Sequence, residues 1–158
     1  MANASQDKRQ DTRQDTGRAD DQGGLSHMRV DRGEPLIRTA PMPADMNGNG
    51  DIFGGWVLSQ MDIAGGIVAA RRAQGRVATV AVDAMTFHQP IKVGDIVSIY
   101  GHIIRVGRSS MAVKLETIVA RRLDPTEIKV TEGVYTYVAI DEEGRPRPVP
   151  VEASSVRP

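Results

Sequence analysis

The pattern of hydrophobic positions changes its period once along the chain, just before residue 77. From Gly54 to Arg72, apolar residues occupy most of the positions around a helical wheel. This pattern predicts one helix of roughly 28 Å, and a helix that is apolar nearly all round is expected to be buried nearly all round. Arg71 and Arg72 suit the negative end of the helix dipole, and Gly75 suits a turn out of the helix.

After the helix, apolar and polar residues alternate with the period of a β-strand. Four long strands are predicted. In Val77 to Phe87 apolar residues occupy both faces and Val and Thr are frequent, whereas Asp95 to Val106, Met111 to Val119 and Ile128 to Ile140 each show one apolar face. Leu36 to Pro41 is predicted as a short first strand. The inner face of the last long strand is predicted to carry Ile128, Val130, Val134, Val138 and Ile140.

Turn residues separate these strands and set the architecture. Gly107-Arg108 predicts a tight hairpin, and Asp124-Pro125 predicts a break before the last strand. Because the strands are about as long as the helix, an antiparallel sheet can curl around it lengthwise, which gives an α+β fold. A sheet covers only one side of a helix, so we expect a second copy of the chain to cover the other side. Gly65-Gly66 in the helix indicates close approach either to that copy or to the chain's own sheet.

The composition excludes several classes of function. The 158 residues carry 20 Lys and Arg against 20 Asp and Glu, so no basic surface for nucleic acid is expected. No cysteine is present, which excludes disulfides, thiolate metal sites and a cysteine nucleophile. The longest apolar stretch is interrupted by Ser59, Gln60 and Asp62, and no apolar leader follows the charged amino terminus. We therefore expect a soluble, cytoplasmic protein without membrane insertion.

The two ends of the chain differ in composition from its middle. Residues 1–34 hold 7 hydrophobic residues and no aromatic one beside 6 basic and 7 acidic residues, a composition typical of a disordered polar tail. All six aromatic residues lie between Phe53 and Tyr137. Prolines at 146, 148 and 150 interrupt strand pairing near the other end. We expect one domain over residues 35–151 and a loose tail over residues 152–158.

The residues before the helix have the character of a binding loop. Residues 42–62 read MPADMNGNGDIFGGWVLSQMD, and their glycines lead into a helix end that presents free backbone amides. On spacing alone Asp51 is either the N-cap of the helix or a general base beside an oxyanion held by the amides of residues 53–55. Asn47 and Asn49 suit a turn. Gln60 and Asp62 either position water or substrate or satisfy buried backbone groups.

Three blocks of the sequence resemble one enzyme family. The blocks are NGNGDIFGGWVLSQMD, GRVATVAVDAMTFHQPIKVGDIV and RVGRSSM, and the resemblance covers about residues 34 to 150. They resemble the YciA-type bacterial acyl-CoA thioesterases of the hotdog-fold superfamily. The resemblance implies a curled sheet wrapped around one long central helix and a homodimer with active sites at its interface, assembled further into a hexamer. It also implies hydrolysis of fatty or short-chain acyl-CoA to free acid and CoA, with no cofactor and no metal.

The resemblance assigns roles to individual residues. Asp51 takes the catalytic carboxylate position, where it activates water or attacks the thioester, and the amides of Gly54 and Gly55 take the oxyanion position. The hairpin at Gly107 to Ser110 is expected to contact CoA, because its arginine and its Gly and Ser residues offer donors to phosphate oxygens. The predicted substrate-binding residues are Asn49, Trp56, Gln60, Arg76, Arg105, Gly107, Arg108, Ser109 and Ser110.

Two other functions are compatible with the same fold. A hotdog hydratase or dehydratase acting on β-hydroxyacyl thioesters uses a histidine near the helix, and no histidine lies between residues 28 and 87. A noncatalytic acyl-CoA-binding protein would lack a carboxylate at the start of the helix, where Asp51 stands. His88 and His102 lack the spacing of a zinc site, so packed or hydrogen-bonded histidines are the favoured interpretation.

Overall fold

The computed structural model describes residues 32–151, and the two predicted tails, apart from residues 32–34, lie outside this range together with His27. Seven elements follow one another. They are β1 (Ile37–Thr39), a 3-10 turn (Pro43–Asp45), α1 (Gly54–Ala73), β2 (Val77–Phe87), β3 (Ile96–Val106), β4 (Ser110–Arg121) and β5 (Asp124–Ala139). The predicted helix and the four long strands are confirmed, with small differences at their ends. No helix within the described residues is long and apolar enough to span a membrane.

The strands form one antiparallel sheet in the order β1-β3-β4-β5-β2, and α1 packs against it. The hairpin at residues 107–109 is closed by the amide of Gly107, which donates to the carbonyl of Ser110 at 2.7 Å. The next turn falls at Arg122 and Leu123, so β5 already begins at Asp124. The predicted break at Asp124-Pro125 is therefore two residues too late.

The core lies between the inner face of the sheet and one face of α1. Its largest fully buried side chains are Tyr135, Tyr137, Met61, Ile99, Met111 and Leu115. The predicted inner face of β4 is confirmed, because every second residue from Met111 to Val119 is buried. The sheet therefore supplies two buried tyrosines directly below the helix.

The predicted inner face of β5 is right in its first part and wrong in the rest. Ile128 packs against the core and Val130 is buried, but beyond them the buried residues are Thr131, Gly133, Tyr135, Tyr137 and Ala139. Thr117 of β4 pairs with Thr131 of β5, but the next residue of β4, Ile118, pairs with Lys129. Val130 is therefore an extra residue in β5. Such a β-bulge moves every following side chain to the opposite face.

The helix is not buried all round in a single chain, which corrects the expectation from its composition. Ile63 is 53% exposed, and β2 forms a free edge of the sheet next to this side of the helix. Val82 pairs with the buried Tyr135, yet Val82 is 45% exposed. Phe87 pairs with the buried Thr131, yet Phe87 is 51% exposed. Apolar side chains on the inner face of β2 are therefore exposed to solvent within one protomer.

The structure decides between the two interpretations of Gly65. A Cβ atom at Gly65 would lie 2.3 Å from the hydroxyl oxygen of Tyr137 and 3.0 Å from a methyl group of Leu115. A Cβ atom at Gly66 would meet its nearest neighbour, a ring carbon of Tyr137, at an ordinary 3.9 Å. Gly65 is thus required by the chain's own sheet.

Candidate functional site

The loop before α1 is organised by the side chain of Asn47. Its Oδ1 accepts hydrogen bonds from the amides of Asn49 at 2.8 Å and Asp51 at 3.2 Å. Gly50 takes the left-handed conformation, with φ of 77°, that the turn requires. The predicted turn-forming role of Asn47 is confirmed, and the exposed Asn49 contributes to the turn through its backbone.

Asp51 pairs with a cation and does not cap the helix. Its carboxylate accepts a short hydrogen bond from the ammonium group of Lys92. Lys92 stands on a turn that is fixed by the buried Asp95, whose carboxylate accepts from the Lys92 amide at 2.8 Å and pairs with Arg121. The N-cap position of α1 belongs to Phe53, and no side chain caps it. The capping interpretation of Asp51 is therefore wrong.

A cavity of about 320 Å³ lies beside Asp51 at the start of α1. It is lined by Asn47, Asp51, Ile52, Gly54, Val57, Phe87, His88, Gln89, Pro90, Ile91 and Thr131. The amide of Phe53 already donates to the carbonyl of Asp45 at 2.9 Å, whereas no described residue accepts from the amides of Gly54 or Gly55. The amides of Gly54 and Gly55 are thus available to a ligand, and their oxyanion role stays a prediction, while the amide of Phe53 is already engaged.

A second carboxylate lies farther along the helix. Asp62 is half-buried on the side of α1 that faces β2, and its Oδ1 accepts from the hydroxyl of Thr79 at 2.7 Å. The hydroxyl of Tyr137 lies 2.9 Å from the main-chain oxygen of Asp62 and 3.2 Å from Oδ1. Among residues 32–151, no Lys, Arg or His side chain forms an ion pair with Asp62. Asp62 is therefore oriented by neutral donors alone.

The two carboxylates lie toward opposite ends of the sheet. Thr131, beside Asp51, pairs with Phe87, whereas Tyr137, beside Asp62, pairs with Thr79. The six residues that separate Thr131 from Tyr137 along β5 correspond to roughly 20 Å. Ser110 pairs with Val138, next to Tyr137, so the Gly107 to Ser110 hairpin lies at the Asp62 end. Within one protomer the structure does not bring this hairpin together with Asp51.

Some of the other predicted binding residues already form side-chain hydrogen bonds or ion pairs, and others do not. Arg76 stands at the hairpin end of the sheet, and its guanidinium donates to the carbonyl of Glu142 at 2.8 Å and pairs with the Glu142 carboxylate. Arg105 and Arg108 are exposed and have no ion pair or hydrogen bond from their side chains within the described part of the chain. Trp56 packs partly buried against the core, and Gln60 is half-buried on the helix.

His88 fits the interpretation given to it from the sequence, whereas His102 is exposed and forms no side-chain hydrogen bond among residues 32–151. His88 lies within 3.3 Å of the carboxylate of Glu132, which also pairs with Lys129 and Lys114. These neighbours lower the pKa of Glu132, with the hydrogen bond from Lys129 as the largest cause. Across residues 32–151, no three His, Asp or Glu side chains are grouped so that they could hold a metal ion.

From the sequence, Asp62 is an ambiguous candidate, and neither Thr79 nor Tyr137 is predicted as a site residue. The signal that could have indicated these two residues is a hydroxyl group in each of two predicted strands, in the segments TYVAI (136–140) and VATV (77–80). Pairing of these segments places two polar side chains under an apolar helix. Their convergence on Asp62 depends on pairing across 75 residues, which no local pattern reveals.

Comparison with known proteins gives consistent results. The model of the thioesterase superfamily matches residues 49–124. The acyl-CoA thioester hydrolase YciA of Escherichia coli is 48% identical over 126 residues, which are 78% of this chain and 96% of that protein.

Two crystal structures are similar in both sequence and fold. A hexameric thioesterase from Yersinia pestis is 51% identical with a TM-score of 0.72, and the match covers 75% of this chain and 97% of that one. A hexameric hotdog fold thioesterase of Campylobacter jejuni is 37% identical with a TM-score of 0.72, covering 76% of this chain and 92% of that one. The predicted hotdog fold is thereby confirmed.

Proposed function

Because this chain belongs to the thioesterase superfamily, among its YciA-type members with the hotdog fold, we propose that it hydrolyses the thioester of acyl-CoA to a free acid and CoA. The acyl-CoA thioester hydrolase YciA of Escherichia coli is matched over 96% of its length. The observation that carries the proposal is the site itself, in which a carboxylate held by neutral hydroxyl groups stands beside an open sheet edge. The reaction requires no cofactor beyond the CoA of the substrate.

Two carboxylates compete for the catalytic role, and the structure favours Asp62. The ammonium group of Lys92 occupies one oxygen of Asp51, which leaves this carboxylate less accessible to water or to a thioester. Asp62 has no cationic partner among residues 32–151, and Thr79 holds it in one orientation. Asp62 also lies at the same end of the sheet as the hairpin predicted to bind CoA. Asp51 remains the alternative that follows from the sequence.

The chemistry at Asp62 is acyl transfer to water. As a general base, its carboxylate takes a proton from a water molecule while the water oxygen attacks the thioester carbon. The carbon–sulfur bond then breaks, the CoA sulfur leaves as a thiolate that takes up a proton, and the acid is released. As a nucleophile, the same carboxylate attacks the thioester carbon and expels the CoA thiolate, which takes up a proton, and water then hydrolyses the resulting acyl anhydride. Both routes need donors for the oxyanion.

The oxyanion donors for Asp62 must come from another protomer. The free amides of Gly54 and Gly55 lie about eight residues before Asp62, or roughly 12 Å along the helix axis, so they cannot reach a carbonyl that touches Asp62 of the same helix. A second helix packed across the uncovered face of α1 would supply them. We therefore propose that the active site is completed at a dimer interface.

The proposed dimer pairs the free edges of two β2 strands. This pairing supports the burial of Val82, Phe87 and Ile63, which are exposed in one chain. The related thioesterases from Yersinia pestis and Campylobacter jejuni are hexameric, which supports a trimer of such dimers here. The cytoplasmic location stays a prediction from the sequence.

The CoA moiety is proposed to bind at the Gly107 to Ser110 hairpin. The exposed Arg108 has no partner among the residues described, and the adjacent Ser109 and Ser110 are half-buried hydroxyl donors. Arg105 is a further free cation nearby, whereas Arg76 would first have to leave Glu142. Trp56 and Gln60 are proposed contacts of the acyl part, and Asn49 acts through the turn that shapes the loop.

The proposal is tested by incubating the purified protein with acyl-CoA esters of several chain lengths and measuring free CoA thiol. We expect thiol release with one or more of them. A β-hydroxyacyl-CoA and its enoyl counterpart serve as the control for the hydratase or dehydratase alternative, since their interconversion changes ultraviolet absorbance without thiol release. Interconversion without hydrolysis would contradict the proposal, and tight binding without either reaction would favour the noncatalytic alternative.

A further inference from the structure

Two tyrosines reach from β5 to the main chain of the helix. Tyr135 and Tyr137 are each 1% exposed, and their rings stack with centroids 6.4 Å apart. The hydroxyl of Tyr135 donates to the carbonyl of Leu58 at 3.1 Å. The hydroxyl of Tyr137 lies within reach of two oxygens of Asp62, the main-chain oxygen at 2.9 Å and Oδ1 at 3.2 Å. The two residues thus make similar helix contacts, but only Tyr137 touches a carboxylate.

The helix makes room for the hydroxyl of Tyr137 by a glycine. A side chain at residue 65 would begin 2.3 Å from this hydroxyl oxygen, so the present position of the hydroxyl depends on Gly65. A glycine inside a helix costs roughly 1 kcal/mol relative to alanine. The helix therefore accepts a local cost at the point where the tyrosine approaches Asp62.

The hydroxyl of Tyr137 keeps its proton. Burial, followed by the negative charge of Asp62, raises the pKa of Tyr137 far above its usual value. The same causes raise the pKa of Tyr135 to about 12. Both phenols are therefore hydrogen-bond donors at every pH at which the enzyme would work.

We propose that Tyr137 is a positioning residue that, together with Thr79, fixes the carboxylate of Asp62 for catalysis. This inference rests on the proposed function, in which Asp62 is the catalytic carboxylate. Thr79 holds Oδ1 from the side of β2 at 2.7 Å, and Tyr137 links the same oxygen to the backbone of the helix from below. The second carboxylate oxygen accepts no hydrogen bond from a described residue and is then left for the substrate.

The test compares Tyr137→Phe with Tyr135→Phe. Each variant keeps the ring, the stacking and the burial, and each removes one hydroxyl that donates to a helix carbonyl. We expect Tyr137→Phe to lower kcat about tenfold or more with little change in KM, because a misplaced catalytic group is felt mainly in the transition state. The acidic limb of its pH–rate profile should move to higher pH, because a hydrogen bond to an ionised carboxylate favours the ionised form. Tyr135→Phe should keep kcat within about twofold and leave the profile unchanged.

Thermal unfolding of both variants separates positioning from stability. We expect similar decreases in Tm, since each variant loses one hydrogen bond from a buried hydroxyl to a helix carbonyl. Wild-type kcat and pH profile in Tyr137→Phe, or equal losses of kcat in the two variants, would overturn the inference.

Asp62→Asn, measured in parallel, separates this inference from the proposed function. If Asp62→Asn is inactive while Tyr137→Phe has wild-type kinetics, the positioning role fails and the catalytic role of Asp62 stands. If Asp62→Asn retains wild-type turnover, both fail together.

Discussion

Asp51 and Asp62 lie in two regions that differ in what surrounds a carboxylate. Asp51 belongs to a closed region, in which the Asn47 turn, the Lys92 side chain and the fixed turn at Asp95 supply its partners from the same chain. Asp62 belongs to an open region beside the free edge of β2, where, among residues 32–151, only the hydroxyl groups of Thr79 and Tyr137 hold it.

The difference indicates how a binding loop and a catalytic carboxylate are distinguished. A carboxylate with a cationic partner and a fixed loop stabilises local structure, whereas one with neutral donors on an uncovered apolar surface is left accessible to a substrate. The glycine-rich loop is the more conspicuous segment of the sequence, yet the structure gives it a turn held by Asn47 and two backbone amides without a partner among residues 32–151. The chemistry of a base fits the less conspicuous aspartate inside the helix.

The largest effect is expected from Val82→Asp on the open edge. This substitution places an unpaired carboxylate where a second β2 strand and helix are proposed to pack, which costs several kcal/mol of association free energy. We expect monomers in sedimentation and a loss of turnover of at least ~10²-fold, because the oxyanion amides come from the other protomer.

Leu123→Asp is the matched control for this substitution. It changes a residue that is 94% exposed at the turn between β4 and β5, away from β2, and should keep both assembly and turnover. A fully active monomer of Val82→Asp would show that the open region is complete without a partner.

A smaller effect is expected from Gly65→Ala, which disturbs the contact of Tyr137 with the helix. The new Cβ atom would overlap the Tyr137 hydroxyl, and overpacking of this kind costs about 1–3 kcal/mol of unfolding free energy, offset in part by the better helix propensity of Ala. Denaturant unfolding measures the difference. Gly66→Ala, whose Cβ would meet only an ordinary contact within the chain, is the control, and equal destabilisation by both would place the close approach at a neighbouring protomer instead.

The smallest effect is expected from Arg108→Ala at the hairpin. A contact with a CoA phosphate far from the thioester binds substrate and transition state about equally, so KM should rise roughly three- to tenfold while kcat changes little. Steady-state kinetics give both constants. Arg122→Ala removes an exposed arginine from the hairpin at the opposite end of the sheet and should leave KM unchanged; an equal rise in both variants would remove the hairpin at residues 107–110 from the CoA site.

Much of the fold was predictable because its causes are local. The apolar pattern of 54–72 gives α1, and the apolar and β-branched residues of 77–87 give β2 with the same bounds as in the structure. The inner face of β5 was not fully predictable, because the bulge at Val130 depends on how β4 pairs with it. Because of this single extra residue, the tyrosines of β5 rather than its later valines lie on the inner face of the sheet.

The candidate site was predictable only in part, for the same physical reason. The turn at Asn47 and the free amides of Gly54 and Gly55 follow from neighbouring residues. The pairing of Asp51 with Lys92 joins residues 41 positions apart, and that of Asp62 with Tyr137 joins residues 75 positions apart. Contacts across such separations depend on the sheet register. The partners that distinguish the two aspartates as catalytic candidates could therefore not be predicted from the sequence.

The most direct test of the account is the turnover of Asp62→Asn and Asp51→Asn, measured as thiol release at saturating acyl-CoA with folding checked by thermal unfolding. Both substitutions keep the shape of the side chain and remove its charge. We predict a loss of at least ~10²-fold for Asp62→Asn, the low end for a positioned general base, and a change below about tenfold for Asp51→Asn. A folded Asp62→Asn protein with wild-type turnover, beside an inactive Asp51→Asn protein, would contradict the account and return the catalytic role to the loop.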